Sequence, residues 1–228
     1  NRLACRALLC LGVFGLCRCG EISTDKIREF DKHEHATRAD ITVLRDRTGQ
    51  LSALEFRCRS SKGDPFRRSV TIRVSAAGPD APMCPVRAMV AYLEATTHFA
   101  ANEPLFRHHD GSYITRSRVD AMIKRLAHAA GFDTSRSRWS THSMRAGGAT
   151  SLSFLGVPAH IIRAYGRWHS DSMLRYLSIS HDEHRNIAGL MASMPARDDE
   201  TRRVQKMPTP SIRYVARPAG AEVSDDVD

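Results

Sequence analysis

Long hydrophobic runs are missing from this chain of 228 residues. No apolar stretch approaches the 18 or more residues that a membrane-spanning helix needs, so we expect no membrane segment. The most apolar part, residues 2–17, could pass for a signal peptide. However, the chain begins with Asn1 rather than Met, and a piece cut from inside a domain explains such a start better.

Lysine is scarce, although the chain is strongly basic. Only five of the 34 basic residues are lysines, the net charge is +9, and the isoelectric point is near 9.6. A basic balance of this kind favours a polyanionic partner such as nucleic acid. Arginine suits that partner because its planar guanidinium donates paired hydrogen bonds to phosphate, although a GC-rich genome produces the same bias.

The common signatures of cofactor and metal sites are also missing. There is no Walker loop and no carboxylate cluster, and Cys17 and Cys19 lack both zinc-ribbon spacing and a second pair. The clusters His33–His35, His108–His109 and His181–His184 have no convergent partners in the sequence. We therefore expect no metal and no cofactor. We expect the cysteines to behave as small buried hydrophobic residues of a reduced, intracellular protein.

Three short segments have the pattern of strands, and most of the remainder has the pattern of helices. The expected strands are 41–44, 51–57 and 70–74, joined by turns at 46–49 and 60–65. The expected helices are 3–16, 86–97, 116–130, 143–155, 158–165, 170–178 and 182–194. The sequence therefore predicts a mixed α/β fold, mainly α, in which a helical bundle carries a small three-stranded antiparallel sheet. Charges of both signs and several prolines predict a disordered tail over 196–228.

Two motifs late in the helical region carry groups suited to phosphodiester chemistry. His142 and Arg145 stand three residues apart at a helix start, and Trp168 and Tyr176 follow later in the chain. Arginine binds phosphate oxygens, histidine holds or relays a proton, and tyrosine is a nucleophile that forms an ester. Taken singly, each residue is explained by a salt bridge, a helix cap or core packing. Taken together, they suit phosphodiester chemistry through a covalent tyrosine.

With these motifs, residues 1–180 resemble the catalytic domain of the tyrosine recombinases, also called phage integrases. Other segments follow in the order of that family, namely Phe14–Ile22, Ser61–Phe66, Cys84–Arg87, Pro104–Phe106 and Leu174–Leu177. The chain looks most like the enzymes of eukaryotic mobile elements, which carry Gly-Arg-Trp before the tyrosine, here Gly166–Trp168.

The resemblance implies six catalytic residues: Arg18, Lys62, His142, Arg145, Trp168 and Tyr176. The two arginines would bind the scissile phosphate, and the lysine would protonate the leaving 5′ oxygen. The histidine would accept or orient the proton of the attacking tyrosine, and Glu21 would support Arg18. The tryptophan takes the position of a family His or Trp. Because the commonest family pattern has a His nine residues before the tyrosine, Arg167 and His169 remain alternatives for that position.

The implied function is DNA strand cleavage and rejoining through a 3′-phosphotyrosyl intermediate, as in site-specific recombination or integration of a mobile element. The implied partner is double-stranded DNA, bound by a homo-oligomer (a tetramer) in the compartment that holds DNA, the nucleus in a eukaryote. Residues 1–195 would form the catalytic domain, without the N-terminal domain that clamps DNA in the family. Two alternatives stay open: a type IB topoisomerase and a non-catalytic DNA-binding remnant.

Overall fold

The computed structural model describes residues 1–24, 30–59, 69–135 and 139–177, together with Gly189 and residues 191–193. The chain divides into two units, Asn1–Ser180 and His181–Asp228. The helices and strands described below all belong to the first unit. Lys62, most of the expected helix 182–194 and the expected tail 196–228 lie outside the described residues.

The first unit is mainly helical and contains one small sheet, as the sequence predicts. Its helices are α1 (Arg2–Phe14), α2 (Cys19–Ile22), α3 (Pro85–Ala95), α4 (Arg116–Ala129), α5 (His142–Phe154) and α6 (Ala159–Tyr165). Its strands are β1 (Ile41–Arg45), β2 (Leu51–Cys58) and β3 (Val70–Ser75). Two 3-10 helices cover Arg38–Asp40 and Asp171–Tyr176.

The three strands form an antiparallel sheet in the order β1-β2-β3. Leu54 pairs with Val74 and Phe56 with Ile72, and all four side chains are buried. Since alternate side chains of a strand share a face, these pairs give the sheet one apolar side. That side joins α1, α3 and α4 in the main hydrophobic core, which holds the sheet against the helices.

A second, smaller core lies among the elements that carry the late motifs. It consists of Leu16, Ala149, Ile162, Trp168 and Met173, and Tyr176 packs against it while remaining partly exposed. This core ties the turn after α1 to α5, to α6 and to the 3-10 helix Asp171–Tyr176. The tryptophan and tyrosine of the late motifs are therefore held by apolar packing.

Two local expectations were wrong. The segment expected to be a helix over 170–178 is a 3-10 helix, Asp171–Tyr176, whose start is capped by the Ser170 side chain accepting from the Ser172 amide. The short helix α2, only four residues long, was not among the expected helices. Neither segment is long enough to show the 3.6-residue period by which helices are recognised. In α2, polar capping by Arg18 and Glu21 replaces that apolar signal.

Candidate active site

A cavity of about 380 Å³ opens between α2 and the first residues of α4 and α5. Its polar lining comes from Arg18, Glu21, Arg116, Thr141, His142 and Arg145. Four of these side chains are basic, so the cavity has the charge of an anion-binding site. Residues that lie far apart in the sequence meet here because α1 and α5 pack side by side.

Arg18 and Glu21 form the α2 wall of the cavity. Arg18 Nη1 donates to Glu21 Oε1 at 2.9 Å, and the Arg18 amide donates to Glu21 Oε2 at 2.8 Å. Glu21 is only 5% exposed, whereas the Arg18 side chain is 30% exposed at the cavity. A buried carboxylate needs such charged partners, and in return it fixes the direction of the guanidinium. Glu21 therefore supports Arg18, as the resemblance implies.

His142 is the first residue of α5 and is exposed at the cavity. The start of α5 is anchored on α4, because the buried Thr141 donates its amide to Asp120 Oδ1 at 3.2 Å. The salt bridge from Lys124, followed by the hydrogen bond from that amide, keeps the pKa of Asp120 low. This anchor holds His142 beside Arg18.

Arg145 lies one helical turn into α5 and is 4% exposed. Its Nη1 donates to the Leu16 carbonyl at 3.0 Å, and its Nη2 donates to the Gly166 carbonyl. Burial, and then the charge of Arg18, lowers the pKa of Arg145 to about 10. The guanidinium therefore keeps its positive charge at neutral pH inside a largely buried site.

Trp168 lies against Arg145, whose guanidinium carbon is over the ring and 4.0 Å from its centroid. A stacked cation and ring of this kind attract each other, most strongly where water is excluded. Gly166 makes room for the indole, because a Cβ at that position would lie 1.5 Å from a ring carbon of Trp168. The Gly-Arg-Trp motif thus places the Trp168 ring against the guanidinium of Arg145.

Tyr176 ends the 3-10 helix and packs its ring 6.2 Å from that of Trp168. Its carbonyl accepts a hydrogen bond from Thr150 Oγ1 at 2.8 Å, which ties the 3-10 helix to α5. The tyrosine is partly exposed but does not line the cavity. The structure therefore brings Arg18, His142 and Arg145 together at one cavity. Tyr176 lies outside this cavity and packs against Trp168, which in turn contacts Arg145.

The model of the phage integrase family matches residues 57–183, more than half of the chain. The chain belongs to this family. The match includes His142, Arg145, Trp168 and Tyr176, whereas Arg18 lies before it and joins the site through the fold.

Solved structures share the fold of this family member at low sequence identity. XerH site-specific recombinase, bound to palindromic difH substrate in a post-cleavage complex, is 17% identical, with a TM-score of 0.60 over 84% of this chain and 46% of that chain. XerA recombinase is 18% identical, with a TM-score of 0.53 over 84% and 58% of the two chains. This chain thus spans about half the length of these relatives. A comparison with curated proteins found no match.

The described part of this chain holds no group of three or more His, Cys, Asp and Glu residues arranged to bind a metal. Nor does it hold a helix that is long and apolar enough to cross a bilayer. The six cysteines are thiols that form no disulfide with one another, and five of them are buried, as the sequence predicts. Burial raises the pKa of Cys17, so that thiol stays protonated beside the site.

Arg167, which the sequence offers only as an alternative to Trp168, makes contacts that the sequence does not reveal. Arg167 reaches back to α2 and donates to Glu21 Oε2 at 3.2 Å, and it also contacts carbonyls of the turn after α1. Its φ of +59° is rare for a residue with a side chain. The only sequence signal for it was its place between Gly166 and Trp168, which does not reveal a partner 146 positions away.

Proposed function

We propose that this chain cleaves and rejoins DNA through a covalent 3′-phosphotyrosyl intermediate, as in site-specific recombination or integration. The observation that carries the proposal is the cavity itself, where Arg18, His142 and Arg145 converge from separate segments. Membership of the phage integrase family supports the same chemistry. So does the fold shared with XerH, which is described as a site-specific recombinase bound to its DNA substrate.

The two arginines would hold the scissile phosphate. Attack on a phosphodiester spreads negative charge over the non-bridging oxygens, and preorganised cations at those oxygens are a large catalytic term. Arg18 and Arg145 are fixed by Glu21 and by backbone carbonyls before any DNA arrives. Losing one such donor costs about 3 kcal/mol of transition-state stabilisation, by analogy with an oxyanion hole.

The proton transfers would fall to His142 and Lys62. A phenol has a pKa of about 10, so the Tyr176 hydroxyl must lose its proton during the attack. His142 is exposed at the cavity and would accept or orient that proton. Lys62, outside the described residues, would protonate the leaving 5′ oxygen. Because Tyr176 lies outside the cavity lining, the proposal requires the 3-10 helix to shift toward the bound phosphate.

Trp168 would act mainly through Arg145. An indole N–H donates a hydrogen bond but cannot transfer a proton. In this structure the ring lies over the guanidinium of Arg145, and Trp168 itself is not among the residues that line the cavity. We therefore assign the position at which the family has a His or Trp to Trp168 rather than to His169. The backbone carbonyl of His169 is held by Arg163 at 3.1 Å.

We further propose the biological setting that the resemblance implies. The chain would act as a homo-oligomer, a tetramer, on double-stranded DNA, and would derive from a mobile element of a eukaryote, with the nucleus as its compartment. The Gly-Arg-Trp motif of Gly166–Trp168, on which the resemblance to those enzymes rests, supports that origin. Residues 1–195 would form the catalytic domain and 196–228 a disordered tail.

Covalent trapping tests the proposal directly. The chain is incubated with supercoiled and with nicked plasmid and quenched with SDS, and DNA-linked protein is detected on a gel. The matched variants are Tyr176→Phe and Tyr113→Phe, since Tyr113 lies away from the cavity and each change removes one hydroxyl only. Adducts in the wild type and in Tyr113→Phe but not in Tyr176→Phe support the proposal.

Three other results would count against it. Adducts that persist in Tyr176→Phe would place the nucleophile elsewhere. Salt-sensitive DNA binding without any adduct would instead favour the non-catalytic DNA-binding remnant. Relaxation of the supercoiled plasmid by single protein molecules, without joining of two duplexes, would favour the topoisomerase.

A further inference from the structure

Arg167 fills the space between the turn after α1 and the end of α6. Its Nη1 donates to the Gly15 carbonyl at 3.0 Å and to the Tyr165 carbonyl at 3.3 Å. Its Nη2 donates to the Leu16 carbonyl and to Glu21 Oε2, each at 3.2 Å. The side chain is 14% exposed and does not line the cavity. Arg167 is therefore directed at protein acceptors rather than at the place of a phosphate.

Two of these acceptors are shared with the arginines of the cavity. Glu21 Oε2 accepts from Arg167 and from the Arg18 amide, while Oε1 of the same carboxylate holds the Arg18 guanidinium. The Leu16 carbonyl accepts from Arg167 and from Arg145 Nη1. Arg167 thus lies behind both cavity arginines and touches the partner of each.

The backbone has an uncommon conformation both at Arg167 and at Leu16, the residue whose carbonyl accepts from Arg167. Leu16 has a φ of +46° and Arg167 a φ of +59°, a region that residues with a Cβ rarely adopt. Such conformations persist where surrounding contacts hold them, and they cluster at functional sites. Here the left-handed turn at Leu16 turns its carbonyl toward Arg145 and Arg167, and the left-handed turn at Arg167 sends its side chain back to Glu21.

The charges around Glu21 also indicate a geometric role for Arg167. Three guanidinium groups, those of Arg18, Arg145 and Arg167, surround the single buried carboxylate of Glu21. The guanidinium groups of Arg18, Arg145 and Arg167 carry like charges and repel one another. A third arginine is therefore not needed to neutralise Glu21, and it opposes the other two. The structure nevertheless holds Arg167 there through four hydrogen bonds, which points to a geometric role.

We infer that Arg167 is a positioning residue that fixes Arg18 through Glu21 and Arg145 through the Leu16 carbonyl. The inference rests on the proposed function, because it assigns the two fixed arginines to one phosphate. It takes Arg167 out of the set of groups that touch DNA. It also explains why the sequence places an arginine between the glycine and the tryptophan of Gly166–Trp168.

A kinetic experiment tests this role on the full chain. Adduct formation is timed at saturating nicked plasmid for Arg167→Gln and Arg167→Lys, with Arg47→Gln as a charge-matched control in the exposed turn between β1 and β2. We expect Arg167→Gln to slow adduct formation by about 10-fold or more, because small displacements of catalytic groups have large effects on rate. The Kd for DNA should change by less than about threefold, and Arg167→Lys should recover part of the rate.

A double-mutant comparison separates positioning from simple loss of structure. If Arg167 acts through Glu21, then Glu21→Gln combined with Arg167→Gln should be little slower than Glu21→Gln alone. Arg167→Gly serves if Arg167→Gln folds poorly, since glycine adopts a φ of +59° without strain. Wild-type rates for Arg167→Gln and Arg167→Gly, or independent multiplication of the two effects, would overturn the inference.

A spectroscopic measurement keeps the test independent of catalysis. In the free protein, slow rotation of the Arg18 and Arg145 guanidinium groups is followed by ¹⁵N NMR of their side-chain nitrogens. Both should rotate faster in Arg167→Gln and stay unchanged in Arg47→Gln. Unchanged rotation in Arg167→Gln would overturn the inference even in an active enzyme. A wild type that forms no adduct would instead overturn the proposed function, and the NMR result would still decide the positioning role.

Discussion

Arg145 is held in a place that disfavours its charge. It is 4% exposed and lies near two other arginines, and burial together with the Arg18 charge lowers its pKa to about 10. A buried cation persists only where hydrogen bonds and charge partners satisfy it. The Leu16 and Gly166 carbonyls and the Trp168 ring do so here. Such an arrangement is expected where a cation must be ready for an anionic ligand.

Replacing that guanidinium by an ammonium is the residue-scale prediction. In Arg145→Lys, one ammonium cannot reach both carbonyls, stack flat on Trp168 and still bind a phosphate in a bidentate manner. We expect adduct formation at saturating DNA to fall by about 10²-fold or more. Timed trapping measures this rate, and Arg47→Lys, in an exposed turn, should keep the wild-type rate. An unchanged rate in Arg145→Lys would remove Arg145 from the site.

Individual site residues were predicted from the sequence only where they belong to a recognisable motif. His142 and Arg145 were placed at a helix start by their spacing, and α5 begins at His142. That Arg18 would join them came from the family resemblance alone, because no local pattern links positions so far apart. The role of Arg167 escaped for the same reason, and its left-handed backbone is not visible in a sequence without glycine at that position.

At the scale of elements, the site depends on the close approach of α1 and α5. A Cβ on Gly148 would lie 2.4 Å from Leu16 Cδ2 and 2.5 Å from the Val13 carbonyl oxygen. The neighbouring Gly147 has open space around it. Because the turn after α1 supplies the carbonyl that Arg145 binds, the distance between these helices sets the geometry of the arginine.

This pair of glycines gives a matched test. Gly148→Ala forces α5 away from a backbone oxygen, so we expect a loss of about 2 kcal/mol in the free energy of unfolding and a Tm lower by roughly 4–8 °C. Gly147→Ala should raise the free energy of unfolding by up to about 1 kcal/mol, since alanine favours helix. Urea and thermal unfolding measure both. Equal effects of the two changes would contradict the described packing.

The elements themselves were largely predictable. The strands and the helices α3, α4, α5 and α6 were expected within a few residues, because each carries its own apolar period or its own caps. The 3-10 helix with Tyr176 was misassigned, since its shape depends on tertiary contacts such as the salt bridge from Arg163 to Asp171 at 2.9 Å. Short elements held by distant partners leave little trace in the sequence.

At the scale of the whole molecule, the net charge of +9 predicts how DNA binding responds to salt. Each phosphate that a basic side chain neutralises releases counterions, so the affinity falls steeply as salt rises. With roughly six phosphate contacts, we expect the affinity to fall by about 10³-fold between 50 and 200 mM salt. Fluorescence anisotropy with a labelled duplex measures this slope. An affinity that does not depend on salt would show that the basic surface does not bind DNA.

The central claim is that Tyr176 becomes covalently joined to a DNA 3′ end, and mass spectrometry of the trapped adduct tests it most directly. Trypsin cuts after Arg175 and Arg185, so the modified tyrosine is recovered in peptide 176–185 after nuclease digestion. We predict nucleotide mass on Tyr176 in that peptide, and a partner DNA end that a kinase labels without prior phosphatase treatment. Nucleotide mass on another residue, or a 5′ end that carries phosphate, would contradict the claim.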